Sequence, residues 1–314
     1  MSCDMNLVSI LIPVYNGANY LREAIDSALA QTWPQREVLV INDGSADNGA
    51  TEGIALSYGE RIRYFSKPNG GVASALNYGI QNMRGEFFSW LSHDDVYLPH
   101  KLAAQMRQVE TLSARQRNNL FLFSAYRAVT AQCKPLYTFH ADRALLQRAP
   151  LYAVFRHMIN GCTTLVSRDL LERAGGFHNL PTTQDYDLWF RLIRLTLPIY
   201  LDEVVLLSRL HQAQGFRTRA ARAEAAQTFI RLMDELTDEE ILSCEQDRQT
   251  FFANIGKGLC EIDLKAAHDH AWNQASVAAR LRHRLSPKHN LKLLLHHMGL
   301  LSQWRAWRQR LGAS

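Results

Sequence analysis

The chain is 314 residues long, 47% hydrophobic and 21% charged, with a formal net charge of +5, which suits one catalytic domain with a substantial core plus an appendage. No stretch reaches the roughly 18 apolar residues of a transmembrane helix, and Met1 to Asn6 carry no charged-then-apolar signal pattern, so the chain is expected to stay in the cytoplasm. Cys3, Cys133, Cys162, Cys244 and Cys260 lack Cys-x-x-Cys spacing, which argues for reduced structural thiols and against a zinc site.

Val8 to Tyr15 and Glu37 to Ser45 are β-branched and almost continuously apolar, the pattern of parallel strands covered on both faces. Between them, Tyr20 to Gln31 puts Leu21, Ile25, Ala28 and Leu29 on one helical face and Glu23 and Asp26 on the other. This is a βαβ unit whose strands end in the polar turns Asn16-Gly17 and Asn42-Asp43-Gly44-Ser45. Ligands of open α/β sheets bind at the carboxyl ends of the strands, so Asp43 is expected on that rim, accepting hydrogen bonds from a base or ribose. Asn69 to Asn77 then join a Gly-Gly pair to a helix start. Glycines let backbone amides approach a ligand and a helix N-terminus favours anions, although an ordinary turn before a helix has the same pattern.

Trp90 to Leu98 is the most informative stretch, because Asp94 and Asp95 follow an apolar run that reads as a buried strand. Paired carboxylates at a strand's carboxyl end suit a hard divalent cation held against a diphosphate. The alternative is that one of them caps the helix suggested by Pro99 and by Lys101 to Val109. Further on, Leu188, Trp189, Leu192 and Ile193 at helical spacing put Asp185 at or near a helix N-terminus, where an N-cap or first-turn charge is the structural alternative to a general base. Asp187 should point elsewhere on that helix. His211 follows an apparent strand from Ile199 to Leu210; it suits a metal when neutral and a phosphate when protonated, and a lone histidine is otherwise structural or solvated.

Beyond Gly215 strand signals nearly vanish, and helices are expected over Ala220 to Glu235, Asp238 to Ala253, Gly258 to Arg284 and Asn290 to Arg310, with a break at Pro287. From His270 to Ser314 there are eight Lys or Arg and no acid, against 27 basic and 30 acidic residues before it. With Leu291, Leu294, Trp304 and Trp307 interleaved, this tail suits an anionic membrane surface, or else packing on its own domain or a partner. Nucleic acid is not expected, because no zinc, helix-turn-helix or RNA-binding motif accompanies the charge.

Five segments, Ile10 to Asn16, Asn42 to Ser45, Lys67 to Gly71, His93 to Asp95 and Gln184 to Trp189, together resemble the inverting family 2 glycosyltransferases of the bacterial polysaccharide or lipid-linked glycan type. The resemblance implies an α/β fold of GT-A type, a Rossmann-like nucleotide-binding domain with a mixed central sheet, followed here by a helical C-terminal region. Residues 1–215 would be catalytic, with a nucleotide-sugar half over 7–110 and an acceptor half over 111–215, and 216–314 would form the basic helical region. It also implies Mn²⁺ or Mg²⁺ on Asp94 and His211, and a general base in Asp185. Pro13, Tyr15, Asn16, Asp43, Asn69, Gly70, Gly71, Asn77, His93 and Asp95 would bind substrate. The expected donor is a nucleotide-sugar, a UDP-sugar first, and the acceptor a hydroxyl of a glycan or lipid-linked glycan at the inner face of the membrane.

The sequence departs from the family pattern at Ser92, where Asp-x-Asp-Asp begins with aspartate, at Gln184 in place of glutamate, and at Leu76 in place of an arginine. Ser92 weakens the expected metal affinity, and Gln184 removes a negative neighbour from Asp185. The acceptor-selecting residues are expected between 111 and 183, with Gly161-Cys162-Thr163 and Phe177-His178-Asn179 as candidate loops. The rival readings are a non-catalytic sugar-nucleotide-binding module, favoured by those departures, and a nucleotidyltransferase, disfavoured because no glycine-rich, arginine-bearing loop follows the first strand.

Overall fold

The computed structural model describes residues 6–211, 218–261 and 264–275, so the basic segment 276–314 and the membrane-facing role assigned to it lie outside the described residues. The chain divides into two compact units, one of residues 1–143 and 159–215 and the other of 144–158 and 216–314.

The first unit is built on a mixed sheet, as the resemblance implies. β1 (Val8–Val14) is buried along its length and pairs in parallel with β2 (Arg36–Asn42) in the register Val8↔Arg36 to Val14↔Asn42. β3 (Arg63–Ser66) and β4 (Phe87–Trp90) extend the parallel set on either side. The connecting helices are α1 (Leu21–Leu29), α2 (Ala50–Leu56) and α3 (Gly71–Asn82). α1 buries Leu21, Ala24, Ile25 and Ala28, as its apolar spacing requires. α3 lies so close on the sheet that a Cβ at Gly79 would stand 2.5 Å from Leu11 Cδ2.

The rest of the sheet is assembled from distant parts of the chain. β5 (Val96–Tyr97) is followed by α4 (Lys101–Glu110) and α5 (Ala114–Asn118), then by β6 (Phe121–Thr130) and β7 (Pro135–Phe139). β8 (Leu165–Ser167) runs antiparallel to both β4 and β6, and the long β9 (Ile199–Leu210) runs parallel to β6 and antiparallel to β5. Among the described residues the strand order is β3-β2-β1-β4-β8-β6-β9-β5, with β7 paired to β6. After β7 come α6 (Arg143–Arg148) and α7 (Tyr152–Phe155) and, following β8, α8 (Arg168–Ala174) and α9 (Gln184–Leu195).

The second unit is helical and includes a piece of the chain that the sequence places in the acceptor half. Within residues 144–158, Tyr152 stacks on Phe251 at 5.3 Å, Phe155 packs on Phe229 at 6.0 Å, and the Tyr152 hydroxyl donates to Glu245. The helix expected over Asp238 to Ala253 is two, Asp238–Cys244 and Arg248–Glu261, and the next runs Lys265–Gln274. The break has a local cause: Asp247 accepts from the Thr250 amide and hydroxyl, capping a new helix in the middle of the apolar pattern. No helix among the described residues is long and apolar enough to cross a membrane.

Candidate active site

The carboxyl ends of β1, β2 and β4 carry the motif residues, and the structure divides them into two groups. The first centres on Asp43, which is 3% exposed and faces inward. Its carboxylate accepts from Lys67 Nζ, from the Gly70 amide at 3.1 Å and from the Gly71 amide at 2.7 Å. Gly70 and Gly71 open α3, so Asp43 supplies from outside the cap that this helix lacks in its own sequence. The carboxylate expected to meet a base or ribose thus also satisfies these two glycine amides within the protein. Asn69 belongs to the same knot, donating through Nδ2 to the Asp43 carbonyl at 2.9 Å.

Asn77 is held within the protein too. Its side-chain amide forms a two-way clamp on the Phe177 backbone, donating to the carbonyl at 2.7 Å and accepting from the amide at 2.9 Å. That clamp holds the loop before α9. Asn16 has a positive φ of 51° and ties two loops together, its amide donating to Ser45 Oγ and its Oδ1 accepting from the Ala46 amide. Pro13 is buried in β1. Tyr15, by contrast, is 48% exposed at the strand's end and offers an open ring.

The second group centres on the acidic turn. Neither aspartate caps α4, whose N-cap is His100 with no side-chain hydrogen bond, so the capping alternative does not hold. Asp94 Oδ2 lies 2.9 Å from His211 Nε2, which brings together the two residues expected to ligate metal. Asp95 does something different. It is buried, and its carboxylate accepts from the Arg209 backbone amide at 2.8 Å, pinning β9 two residues before His211. Burial and the neighbouring Asp94 charge raise the Asp95 carboxyl to about 8. Asp95, expected to contact substrate, thus also anchors the end of β9 that sets His211 against Asp94.

His93 lies against the loop after β1: a Cβ at Gly17 would fall 2.5 Å from its ring, so this glycine makes room for the histidine. Burial lowers the His93 pKa, with Asp94 opposing the shift and His211 adding to it. Ser92, which stands in the place of the family's first aspartate, donates its amide to the Cys162 sulfur at 3.2 Å, and the thiol lies 3.3 Å from the Ser92 hydroxyl. Arg209 was not legible as a site residue; its guanidinium lies over the Tyr20 ring at 4.2 Å and pairs with Glu23 at 2.7 Å, while Tyr20 packs on His211 at 5.3 Å.

The fit of a divalent cation can be judged from the donor set. Asp94 and His211 offer one carboxylate oxygen and one imidazole nitrogen, both with side chains largely shielded from solvent, at 12% and 14% exposure. No group of three His, Cys, Asp or Glu is placed to hold an ion among the described residues. A cation there would complete its shell with diphosphate and water oxygens, which is how ions are held when substrate phosphates share them.

Asp185 sits in the first turn of α9, which has Thr183 at its N-cap, so it is not the cap. Its Oδ1 accepts from the Tyr186 amide at 2.9 Å, and the residue is half-buried. Asp187 is 1% exposed and committed to Arg191 and His178, both at 2.8 Å, which removes it as a base. Gln184 is 4% exposed and its amide oxygen has no hydrogen-bond partner among the described residues. Burial raises the pKa of the Tyr126 and Tyr186 phenols, with the Asp95 carboxylate adding to the shift at Tyr126 and the Asp185 carboxylate to that at Tyr186.

Residues 9–121 match the model of glycosyl transferase family 2. A protein of Rickettsia bellii described as an uncharacterized glycosyltransferase is 43% identical over 280 residues, covering 87% of this chain but 40% of its own length, so the chain spans about two fifths of that relative. A Rickettsia typhi protein of the same description is 42% identical over 254 residues, with 79% of this chain and 78% of the relative covered. The fold matches Staphylococcus aureus TarS 1-349, solved with UDP-GlcNAc, with a TM-score of 0.59 and 15% identity over 98% of this chain and 92% of that one. It also matches a mannosyltransferase of Pyrobaculum calidifontis, solved with GDP-Man and Mn²⁺, with a TM-score of 0.53 and 19% identity over 97% and 84% of the two chains. The mixed sheet, the acidic turn and the relatives converge: the chain belongs to glycosyltransferase family 2.

Proposed function

We propose that the chain transfers a sugar from a nucleotide-sugar, a UDP-sugar first, to a hydroxyl of a glycan or lipid-linked glycan, with inversion and with Mn²⁺ or Mg²⁺ as cofactor. The observation that carries this reading is the meeting of Asp94 with His211 at 2.9 Å, after the carboxyl end of β4. The UDP-GlcNAc of the TarS structure and the Mn²⁺ of the mannosyltransferase structure support the donor class and the cofactor.

In this reading Asp94 and His211 hold the cation, which when bound offsets the charge growing on the departing diphosphate. Tyr15 presents its exposed ring to the base, and the knot around Asp43 fixes the loop from Lys67 to Gly71 that shapes the donor rim. Asp185 takes the proton of the acceptor hydroxyl as its oxygen bonds to the anomeric carbon. The bond from that carbon to the phosphate oxygen breaks, and its electron pair leaves with the nucleoside diphosphate. A single displacement of this kind inverts the anomeric centre. Residues 7–110 then serve the donor and 111–215 the acceptor. The basic stretch after His270, read from its charge alone, concentrates the enzyme at an anionic membrane surface.

The test is product analysis with a panel of UDP-, GDP- and dTDP-sugars in Mn²⁺ and in chelator, with the anomeric configuration of the product read by NMR. A new glycosidic bond of inverted configuration, lost with chelator, is expected. Release of a nucleotidyl product, or binding with no turnover on any donor and acceptor pair, overturns the proposal in favour of a nucleotidyltransferase or a binding module.

A further inference from the structure

The first turn of α1 meets the end of β9 around a buried arginine. Arg209 is 1% exposed, so its guanidinium does not open onto the site. It lies over the Tyr20 ring at 4.2 Å, pairs with Glu23 Oε2 at 2.7 Å and donates to the Cys133 sulfur at 3.1 Å. Tyr20 is the N-cap residue of α1 and Glu23 stands three positions on, the spacing that puts two side chains on one helix face. The tyrosine ring also reaches the imidazole of His211, at a centroid distance of 5.3 Å with the planes 41° apart. Arg209 and His211 are two residues apart where β9 ends, so their side chains leave the backbone on one side and a single ring can touch both.

We propose that Tyr20 is a positioning residue for the metal site: its ring, seated by the Arg209 guanidinium, fixes the His211 imidazole so that Nε2 faces Asp94. The proposal rests on the reading of Asp94 and His211 as ligands of Mn²⁺ or Mg²⁺. Two restraints are needed there, because placing the backbone leaves the side-chain torsions of a histidine open. The Asp95 carboxylate, accepting from the Arg209 amide at 2.8 Å, sets where the chain enters residue 211. Tyr20 sets how the ring turns, with Nε2 2.9 Å from Asp94 Oδ2. The donor set sharpens the demand. No third His, Cys, Asp or Glu among the described residues joins this pair, so a cation loses a large part of its protein coordination whenever the imidazole swings away. A rivet between α1 and β9 would be complete with Arg209 and Glu23 alone; the tyrosine carries the contact on to the ligand. The guanidinium gives the ring a fixed seat through attraction to its π face, and the Glu23 carboxylate keeps that charge in place. Stacking on a nucleotide base is the poorer use of this ring, since Arg209 and His211 already pack on it, whereas Tyr15 is 48% exposed.

The test uses the full chain with Mn²⁺ and UDP, or GDP where UDP gives no response. Bound metal is read by electron paramagnetic resonance from the loss of the free Mn²⁺ signal, measured against nucleotide alone, with thermal melting alongside. Tyr20→Ala should weaken Mn²⁺ about tenfold, the lower end for loss of a group that orients a ligand. Tyr20→Phe, which keeps the ring, should bind as the parent does. Tyr20→Leu, which keeps apolar bulk without an aromatic face, should follow Tyr20→Ala and replaces it if the alanine variant does not fold. Leu56→Ala, an exposed change on α2, should alter nothing. The discriminating arm repeats the Tyr20 variants in a His211→Ala background, where they should cost nothing further, because the ring acts through the imidazole. A second loss of the same size in that background overturns the proposal and makes Tyr20 a general support of the fold. Parent-like Mn²⁺ binding by Tyr20→Ala and Tyr20→Leu, when His211→Ala binds weakly, overturns it too and leaves the metal site standing. No Mn²⁺ binding by the parent with either nucleotide, or an affinity unchanged in both Asp94→Asn and His211→Ala, overturns the metal reading itself and the inference with it.

Discussion

Asp43 and Asp94 follow the carboxyl ends of β2 and β4, the parallel strands on either side of β1, and look alike in sequence, yet they are put to opposite uses. Asp43 accepts from Lys67 and from two helix-opening amides, all within its own unit, and is almost wholly removed from water. Asp94 meets a histidine whose nitrogen is itself a metal-ligand type, at a rim beside an exposed aromatic. A carboxylate surrounded by hydrogen-bond donors is part of the fold, whereas one opposite another ligand atom is equipped for a cation. Substituting the first group should therefore cost stability, and substituting the second should cost turnover.

The largest effect belongs to Asp185. Asp185→Asn should lower transfer by roughly 10²- to 10⁴-fold, the span of general-base assistance, with donor affinity and melting temperature unchanged. Steady-state rates beside donor titration check this; donor binding that falls together with the rate would move Asp185 into the structural class. Asp94→Asn comes next. Removal of the ligand charge should cost on the order of 10²-fold in turnover and shift the Mn²⁺ requirement upward, again without unfolding. A metal titration with the same midpoint and plateau as the parent would break the comparison on its functional side.

Asp43→Ala tests the other side. It leaves Lys67 without its carboxylate and returns the Gly70 and Gly71 amides to an uncapped helix end, so a loss of about 3 kcal/mol is expected. In a unit of this size that is a fall of roughly 6–12 °C in melting temperature. Parent-like melting with donor binding abolished would show that Asp43 faces the ligand after all.

How far this division could be read from sequence depends on the sequence distance of the partner. β1, α1, β2 and the acidic turn were legible, because their periodicity and turn residues are local. The inward orientation of Asp95 was not: its partner is the amide of Arg209, brought back by β9 with register shifts along β6. The three-residue β8 is too short for alternation to show, and the five-residue β7 opens with Pro135, a residue that argues against a strand. Asn77 looks like a ligand residue in its motif and is a clamp in the fold, since Phe177 is a hundred positions away. Asp187 could be set aside from helix geometry alone, because two residues on a helix do not share a face with Asp185.

Lys101 gives the subtlest check on the own-chain class. It is fully buried at the start of α4, with Nζ 2.7 Å from Ser89 Oγ, 3.0 Å from Gln105 Oε1 and 3.3 Å from the Thr164 carbonyl, and 4.3 Å from the centre of the Tyr97 ring. Those acceptors and the ring favour an ammonium, while burial opposes it and lowers the pKa to about 7. An unfolded lysine titrates near 10.4, so between about pH 7 and pH 10 the unfolded chain holds a proton that the native one has released. Stability from this residue therefore rises with pH across that window; below pH 7 both states are protonated and the full cost of burying the charge remains. Lys101→Met should flatten the rise. Melting curves of both proteins from pH 6 to pH 9.5 would show the parent gaining on the variant above pH 7. Parallel curves would mean that the three acceptors outweigh burial and that Lys101 stays an ammonium throughout.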